Sequence, residues 1–373
     1  MNSEDAEERN LSLSFKAFGR EGPPWLILHG LFGSSRNWRG FALDFEKEFR
    51  IWTLDQRNHG DSPHASRMDY PLMAGDVRSF ADSHELSKFG LLGHSMGGKT
   101  AMQLALDVPT QIRFLIVVDI APVPYTHQGQ HRELISVMKQ TKLNGINRMN
   151  EAEAMLKDRI PDPVLRKFLM LNLKPEKNGM KWRLGLEGID ASLNRLLEAP
   201  TDLGKIYEGP TLFIGGEKSN YLHPSHHPEV RRFFPNSRIV MLKKAGHWLH
   251  AEQPEAFRKT VKSFLDAVFH LEKSNLKLIF RKSCGLKFHH FKLLQKHGGQ
   301  QVDSRYWLFM DGSTTQQLLI TLPHFFPIGG WSPWTCPGMG IPLTALQEPV
   351  IILWTCFLKW WRFWTNWDGR NVL

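Results

Sequence analysis

Short apolar runs, each bounded by glycine- or polar-rich turns, recur through the first 120 residues and alternate with stretches of helical spacing. Residues 24–29 (PWLILH), 49–54, 89–92 and 113–120 (RFLIVVDI) are of this kind, and their length and flanks predict buried strands. Residues 11–18 alternate apolar and polar and predict an edge strand. Residues 70–84, with Leu72, Val77 and Phe80 at helical spacing, and 99–106 predict helices between the strands. Strands that alternate with helices indicate an α/β chain built on a largely parallel sheet.

The pattern changes between about residues 123 and 209. Charges become frequent, apolar runs disappear, and residues 141–156, 163–173 and 189–197 have helical spacing. This reads as a helical insertion capping the edge of the sheet where ligands bind, with Ile160, Val164, Phe168, Leu169 and Leu171 either lining an apolar pocket or packing against the main domain. Strand behaviour resumes at 210–215 and 238–242, and residues 255–268 predict a last helix.

Composition divides the chain again. All three cysteines (Cys284, Cys336, Cys356) and eight of the thirteen tryptophans lie beyond residue 280, and residues 271–373 carry 11 Lys and Arg against 5 Asp and Glu, or +6 of the formal +10. The basic balance therefore belongs to the last quarter, and the main domain gives no reason to expect nucleic acid as a partner. With no cysteine before 284, the main domain has neither a disulfide framework nor a thiol nucleophile. Residues 1–10 carry Glu4, Asp5, Glu7 and Glu8 with no apolar run, unlike a secretory or mitochondrial leader, so a cytoplasmic protein is expected. Residues 271–297 are basic with interspersed Leu and Phe, and 350–364 (VIILWTCFLKWWRFW) are apolar and aromatic but too short to span a bilayer. The expected organisation is a domain over 11–270 and a poorly structured extension over 271–373, with interfacial membrane contact by the extension as the alternative.

The chemistry centres on Gly93-His94-Ser95-Met96-Gly97, a G-x-S-x-G turn between a predicted strand and a predicted helix. A serine hydroxyl is a weak nucleophile and must be presented to a base, and a sharp turn with small flanking residues does that. The amide of Met96 would open the helix, where it can stabilise a developing oxyanion. His29-Gly30-Leu31-Phe32-Gly33 leaves a strand in a glycine-rich turn, and Leu31, with Phe32 as its neighbour, is the candidate second donor. Asp119 ends the most β-branched strand, a place suited either to function or to capping the turn before Pro122. His247, hinged on Gly246 after the last strand, is the candidate general base, with His250 as its rival. Residues 55–62 (DQRNHGDS) read as a structured turn. His223, His226 and His227 suggest a metal, but the adjoining prolines and the missing Cys or carboxylate partners argue against one.

Together the stretches HGLFGS, DQRNHGDS, GHSMGGK, VDIAP, HPSHHP and AGHWLHA resemble the α/β-hydrolase family, in particular the branch of α/β-hydrolase domain-containing protein 11 and related bacterial esterases. The resemblance covers about residues 11–270. It implies an eight-stranded, mostly parallel sheet with a helical cap, and carboxylic-ester hydrolysis without metal or organic cofactor. Many members place the triad acid after the strand at 210–215, where this chain has Ser219. The related bacterial esterases instead use the position of Asp119, and protein 11 has been assigned the position of Glu187. Asp119 is the choice here, since a strand end supports an orienting group more rigidly than a cap does. The expectation is thus a serine esterase acting on a small-molecule ester of short or medium acyl chain, with Ser95, His247 and Asp119 (Glu187 as alternative acid) and the amides of Leu31 and Met96. The alternative is a regulatory protein of the same fold acting on mitochondrial 2-oxoacid dehydrogenase complexes, which would imply a mitochondrial location. Intact Ser95 and His247 favour the enzyme.

Overall fold

The apolar runs are strands. The computed structural model describes residues 10–126, 129–201, 204–284, 304–309 and 317–322. In chain order the strands of its first unit are β1 (Phe15–Phe18), β2 (Pro24–Leu28), β3 (Arg50–Leu54), β4 (Phe89–His94), β5 (Ile112–Val118), β6 (Leu173–Glu176), β7 (Gly179–Trp182), β8 (Thr211–Gly216) and β9 (Ser237–Leu242). Seven of them form one sheet in the order β1-β3-β2-β4-β5-β8-β9. All neighbours in it are parallel except β1, which runs antiparallel to β3 at the edge. β4 is buried at all six positions, as a strand covered on both faces must be.

The resemblance implied eight strands, and among the described residues the sheet holds seven. At the β1 edge the regular strand expected over 11–18 is Phe15–Phe18, and Ser14 extends its pairing by one bond, its carbonyl accepting from Asp55 N (2.8 Å). The amides of Leu11 and Ser14 are taken by side chains, donating to Asp76 Oδ1 (2.7 Å) and Ser62 Oγ (2.8 Å).

Helices Tyr70–Ser83 and Met96–Asp107 pack beside the sheet, and the core between them joins Leu26, Leu91, Leu115 and Phe213 with Val77, Ala101 and Leu104. Asp69 caps the first of these helices by accepting from the amide of Leu72.

The insertion after β5 contains helices Gly129–Gln140, Met149–Lys157, Pro163–Met170 and Leu186–Leu197, with the antiparallel hairpin β6–β7. Two features depart from the sequence reading. A helix occupies Gly129–Gln140, and the one expected over 141–156 begins at Met149. Residues 141–148 pair instead with the hairpin turn, through Gly145 N to Asn178 O (2.8 Å) and a bridge between Asn144 and Gly179. Gly145 (φ +81°) supplies the left-handed backbone this path needs. The hairpin itself was not anticipated. Its Leu173 and Met180 join Leu134, Leu156, Leu169 and Ile189 in a cap core that also takes in Phe32, Met68, Tyr70 and Met96 of the sheet domain.

The long helix Pro254–Cys284 begins in the first compact unit, residues 1–265, and ends in the second, residues 266–373. In the second unit strands Ser304–Phe309 and Gln317–Leu322 pair antiparallel. The basic segment past Cys284 and the aromatic segment 350–364 lie outside the described residues. No helix among the described residues is long and apolar enough to cross a membrane.

Candidate active site

Ser95 sits between β4 and helix Met96–Asp107 with φ 53° and ψ −117°, a backbone conformation rarely taken by a non-glycine residue. The turn is held by Ser95 N to Val118 O (2.9 Å) and Lys99 N to Ser95 O (3.1 Å). Its two glycines are required by close approach. A Cβ on Gly93 would lie 2.1 Å from the carbonyl oxygen of Gly97, and one on Gly97 would lie 2.5 Å from that of His29. Packing this tight leaves the serine as the residue that projects from the turn.

Asp119 follows β5 directly, is fully buried and also has positive φ (49°). Its amide donates to Ile214 O (2.8 Å), which fixes it against the end of β8. Oδ1 accepts from Gly216 N (2.9 Å), and Oδ2 accepts from Ser219 Oγ and from His247 Nδ1 (2.7 Å). The bond from Nδ1 leaves Nε2 of His247 for a partner on the cavity side.

The His247 loop is held from two sides. His94 Nε2 donates to the carbonyl of His247 (2.9 Å), and burial, with His247 and His250 nearby, holds His94 well below the ordinary histidine range and so neutral. Tyr221 lays its ring against the imidazole, with centroids 4.4 Å apart. Ser95 and His247 line one cavity of about 300 Å³, with Leu31, Leu165, Phe168 and Trp248 supplying apolar walls.

A profile described as "alpha/beta hydrolase fold" matches residues 23–254. The chain belongs to the α/β-hydrolase fold family. It is 37% identical over 270 residues to the mouse protein named sn-1-specific diacylglycerol lipase ABHD11, covering 70% of this chain and 88% of the mouse one. It is 31% identical to esterase YbfF of Escherichia coli, covering 65% of this chain and 93% of that one. Among solved structures, a marine microorganism esterase superposes with a TM-score of 0.66 at 35% identity, covering 68% of this chain and 99% of that one.

The other carboxylate and histidine candidates of this α/β-hydrolase lie elsewhere. Glu187, in the first turn of helix Leu186–Leu197, has an 83% exposed side chain and pairs with Lys139 Nζ (2.6 Å), so the structure brings Asp119 and not Glu187 to His247. His250 stacks on Trp38 (4.5 Å between centroids), and burial pushes it down to about 4. His223 caps the short turn Pro224–His226 by accepting from Ser225 N (3.3 Å). Among the described residues no group of three or more His, Cys, Asp or Glu side chains is arranged to hold a metal ion. Of the apolar cap residues singled out in the sequence, Phe168 lines the cavity. Ile160 and Leu169 are in the cap core, and Val164 and Leu171 face solvent, because their positions on the cap elements turn them away from the opening.

The turn at 55–62 acts as a scaffold. Asp55 accepts from the amides of Ser35 (2.6 Å) and Asp61 (3.0 Å), and Arg57 forms a buried ion pair with Asp76 (2.7 Å). His59 accepts from the amide of Phe32 (3.1 Å) while its Nδ1 donates to Arg57 O (2.8 Å), an arrangement that needs the neutral ring, and burial pushes His59 down to about 3. His29 likewise accepts from Gln56 N (3.0 Å). The amides of Leu31 and Met96 make no hydrogen bond within the described residues. Sequence reasoning missed Tyr221, His94 and the anchoring role of His59, none of which has a spacing signal, and it noted Ser219 as a departure without seeing that its hydroxyl meets Asp119.

Proposed function

We propose that this protein is a serine hydrolase that cleaves carboxylic esters through an acyl-enzyme. The observation that carries the reading is the bond from His247 Nδ1 to the buried carboxylate of Asp119 (2.7 Å), in a loop that lines the same cavity as the strained Ser95.

In this mechanism Ser95 Oγ attacks the ester carbonyl carbon and His247 Nε2 takes its proton. Asp119 fixes the imidazole tautomer and stabilises the imidazolium, while remaining ionised itself. The carbonyl electrons move to oxygen, where the amides of Leu31 and Met96 receive the charge. Losing one such donor typically costs about 10²–10³ in rate. The carbon–alkoxy bond then breaks, and His247 returns the proton to the leaving alcohol. Water, deprotonated by His247, attacks the acyl carbon; the carbon–Oγ bond then breaks, His247 returns the proton to Ser95 Oγ, and the carboxylic acid leaves.

A cavity of about 300 Å³ lies at the small end of ligand pockets, which run from about 300 to 1,000 Å³. Its Leu165, Phe168 and Trp248 walls favour an apolar acyl group of short or medium length. The names of the mouse and bacterial relatives support an ester, and a glycerolipid is a reasonable substrate class to test.

Covalent labelling with a fluorophosphonate tests the reading. Rapid labelling of the full chain and none of Ser95→Ala is expected. A folded parent that does not label would remove the serine-hydrolase assignment.

A further inference from the structure

Three successive peptide groups of the loop after β2 are held by hydrogen bonds. The first, between Gly30 and Leu31, has its carbonyl bound by Gly33 N (2.9 Å) and His29 Nδ1 (2.8 Å). In a trans peptide the N–H points opposite to the carbonyl, so these bonds also aim the amide of Leu31. The second, between Leu31 and Phe32, has its N–H bound by His59 Nε2 (3.1 Å). The third, between Phe32 and Gly33, has its carbonyl bound by Asn172 Nδ2 (2.7 Å). Three of these four anchors belong to the sheet domain, and the fourth belongs to the cap.

Asn172 is built to hold that contact. Its side chain is 2% exposed. Its amide donates to Leu169 O (3.0 Å), its carbonyl accepts from Arg183 N (2.7 Å), and Nδ2 also reaches Leu169 O (3.2 Å). The cap fold therefore fixes where the Asn172 side chain points. Phe32 in turn has φ 61°, a left-handed conformation unfavourable for a residue with a Cβ, which persists only where its surroundings impose it. His59 from one side and Asn172 from the other impose it here.

We propose that Asn172 is a positioning residue through which the seating of the cap sets the oxyanion loop. With the cap seated, Asn172 holds the Phe32 carbonyl and the loop presents the amide of Leu31 to the reacting carbonyl oxygen. With that hydrogen bond lost, the loop relaxes toward ordinary backbone and the amide turns away. This inference rests on the reading of Ser95 as nucleophile and of Leu31 as oxyanion donor.

The test compares wild type with Asn172→Asp, Asn172→Ala and Asn172→Ser in the full chain. Asp keeps the shape but puts an acceptor against a carbonyl, Ala removes the group, and Ser keeps a shorter polar one, so the three perturb folding to different degrees. Three quantities are read on p-nitrophenyl butyrate per fluorophosphonate-titrated site: kcat, KM and Ki for a trifluoromethyl ketone, whose hemiketal oxyanion occupies the same place. A fall in kcat of about 10- to 100-fold, a KM within about twofold and a Ki weakened in proportion to kcat are expected, since the contact acts on the developing oxyanion. Lowered unfolding midpoints with unchanged kcat and Ki per titrated site would reduce Asn172 to a packing residue and overturn the inference. Full activity in Ser95→Ala would sink the underlying hydrolase reading instead, so the two failures are distinguishable.

Discussion

Ser219 and His247 donate to the same oxygen, Oδ2 of Asp119. Ser219 occupies the loop after β8, a position from which a carboxylate could reach His247, and it supplies a hydrogen bond to the acid that replaces it. Asp119 thereby collects three donors, counting Gly216 N on Oδ1. Buried carboxylates need such donors, each worth about 1.5–3 kcal/mol when the acceptor is charged.

Ser219→Ala should lower kcat about tenfold, since one of three donors is lost and two remain to hold the carboxylate in place. Ser219→Asp should be worse than Ala, because it sets a second carboxylate against Asp119 where a hydroxyl proton had been. Steady-state hydrolysis of p-nitrophenyl butyrate by the two variants measures this. Equal activities would show that the added charge is not felt at Asp119.

Asp119→Asn should lower kcat by about 10³–10⁴, because the amide favours the wrong imidazole tautomer. Glu187→Gln should leave kcat within about twofold, its exposed carboxylate being engaged with Lys139 and surface pairs contributing little. The two rates, measured side by side, decide between the acids. A larger loss for Glu187→Gln would mean that the cap rearranges in the working enzyme.

How much of this was legible beforehand follows from the kind of constraint each part carries. β4, β5 and the Ser95 turn announce themselves, because a fully buried strand must be apolar throughout and an elbow this tight needs Gly93 and Gly97. The position of Asp119 at the end of β5 is legible from the β-branched run before it, but its meeting with His247, 128 residues away, is a tertiary fact. The spacing of the cap residues indicates helices but not their bounds or the hairpin between them. The β6–β7 hairpin is four residues a strand, too short for a period-2 pattern, and residues 141–148 have helical spacing that pairing with the hairpin turn overrides. Asn172 and Tyr221 left no trace in the sequence, since each acts on the site through a contact distant in sequence and neither belongs to a repeating pattern.

The pair Arg57–Asp76 should dominate the stability of the scaffold turn. Arg57 Nε and Nη2 donate to Asp76 at 2.7 and 2.8 Å, with both side chains essentially inaccessible. Asp76→Ala leaves a buried guanidinium without its carboxylate, and the expected loss is about 3–5 kcal/mol. Replacing both residues with apolar ones, Arg57→Met with Asp76→Leu, should cost less than Asp76→Ala alone. Urea unfolding of the three proteins tests the ordering. A single variant as stable as wild type would mean that water or a neighbouring group neutralises Arg57.

Lys99, on the helix that follows Ser95, is 1% exposed and holds the end of the cap. Its Nζ donates to the carbonyls of Leu197 (3.2 Å) and Glu198 and lies over the rings of Tyr125 (4.7 Å) and Tyr70 (5.5 Å). Burial pushes this lysine down to about 7, against about 10.4 in an unfolded chain. Between those values the unfolded chain binds a proton that the folded chain lacks. Stability therefore rises with pH across that window, by at most about 1.4 kcal/mol per unit, and this contribution is flat below it. Lys99→Met fills the same space without a titrating group. The difference in unfolding free energy, wild type minus Lys99→Met, should climb between about pH 7 and 10, with other titrating groups cancelling in the subtraction. A difference that stays level across that range would mean that the two carbonyls and two ring faces keep Lys99 charged throughout, and that the cap is fastened to the nucleophile helix by a permanent cation.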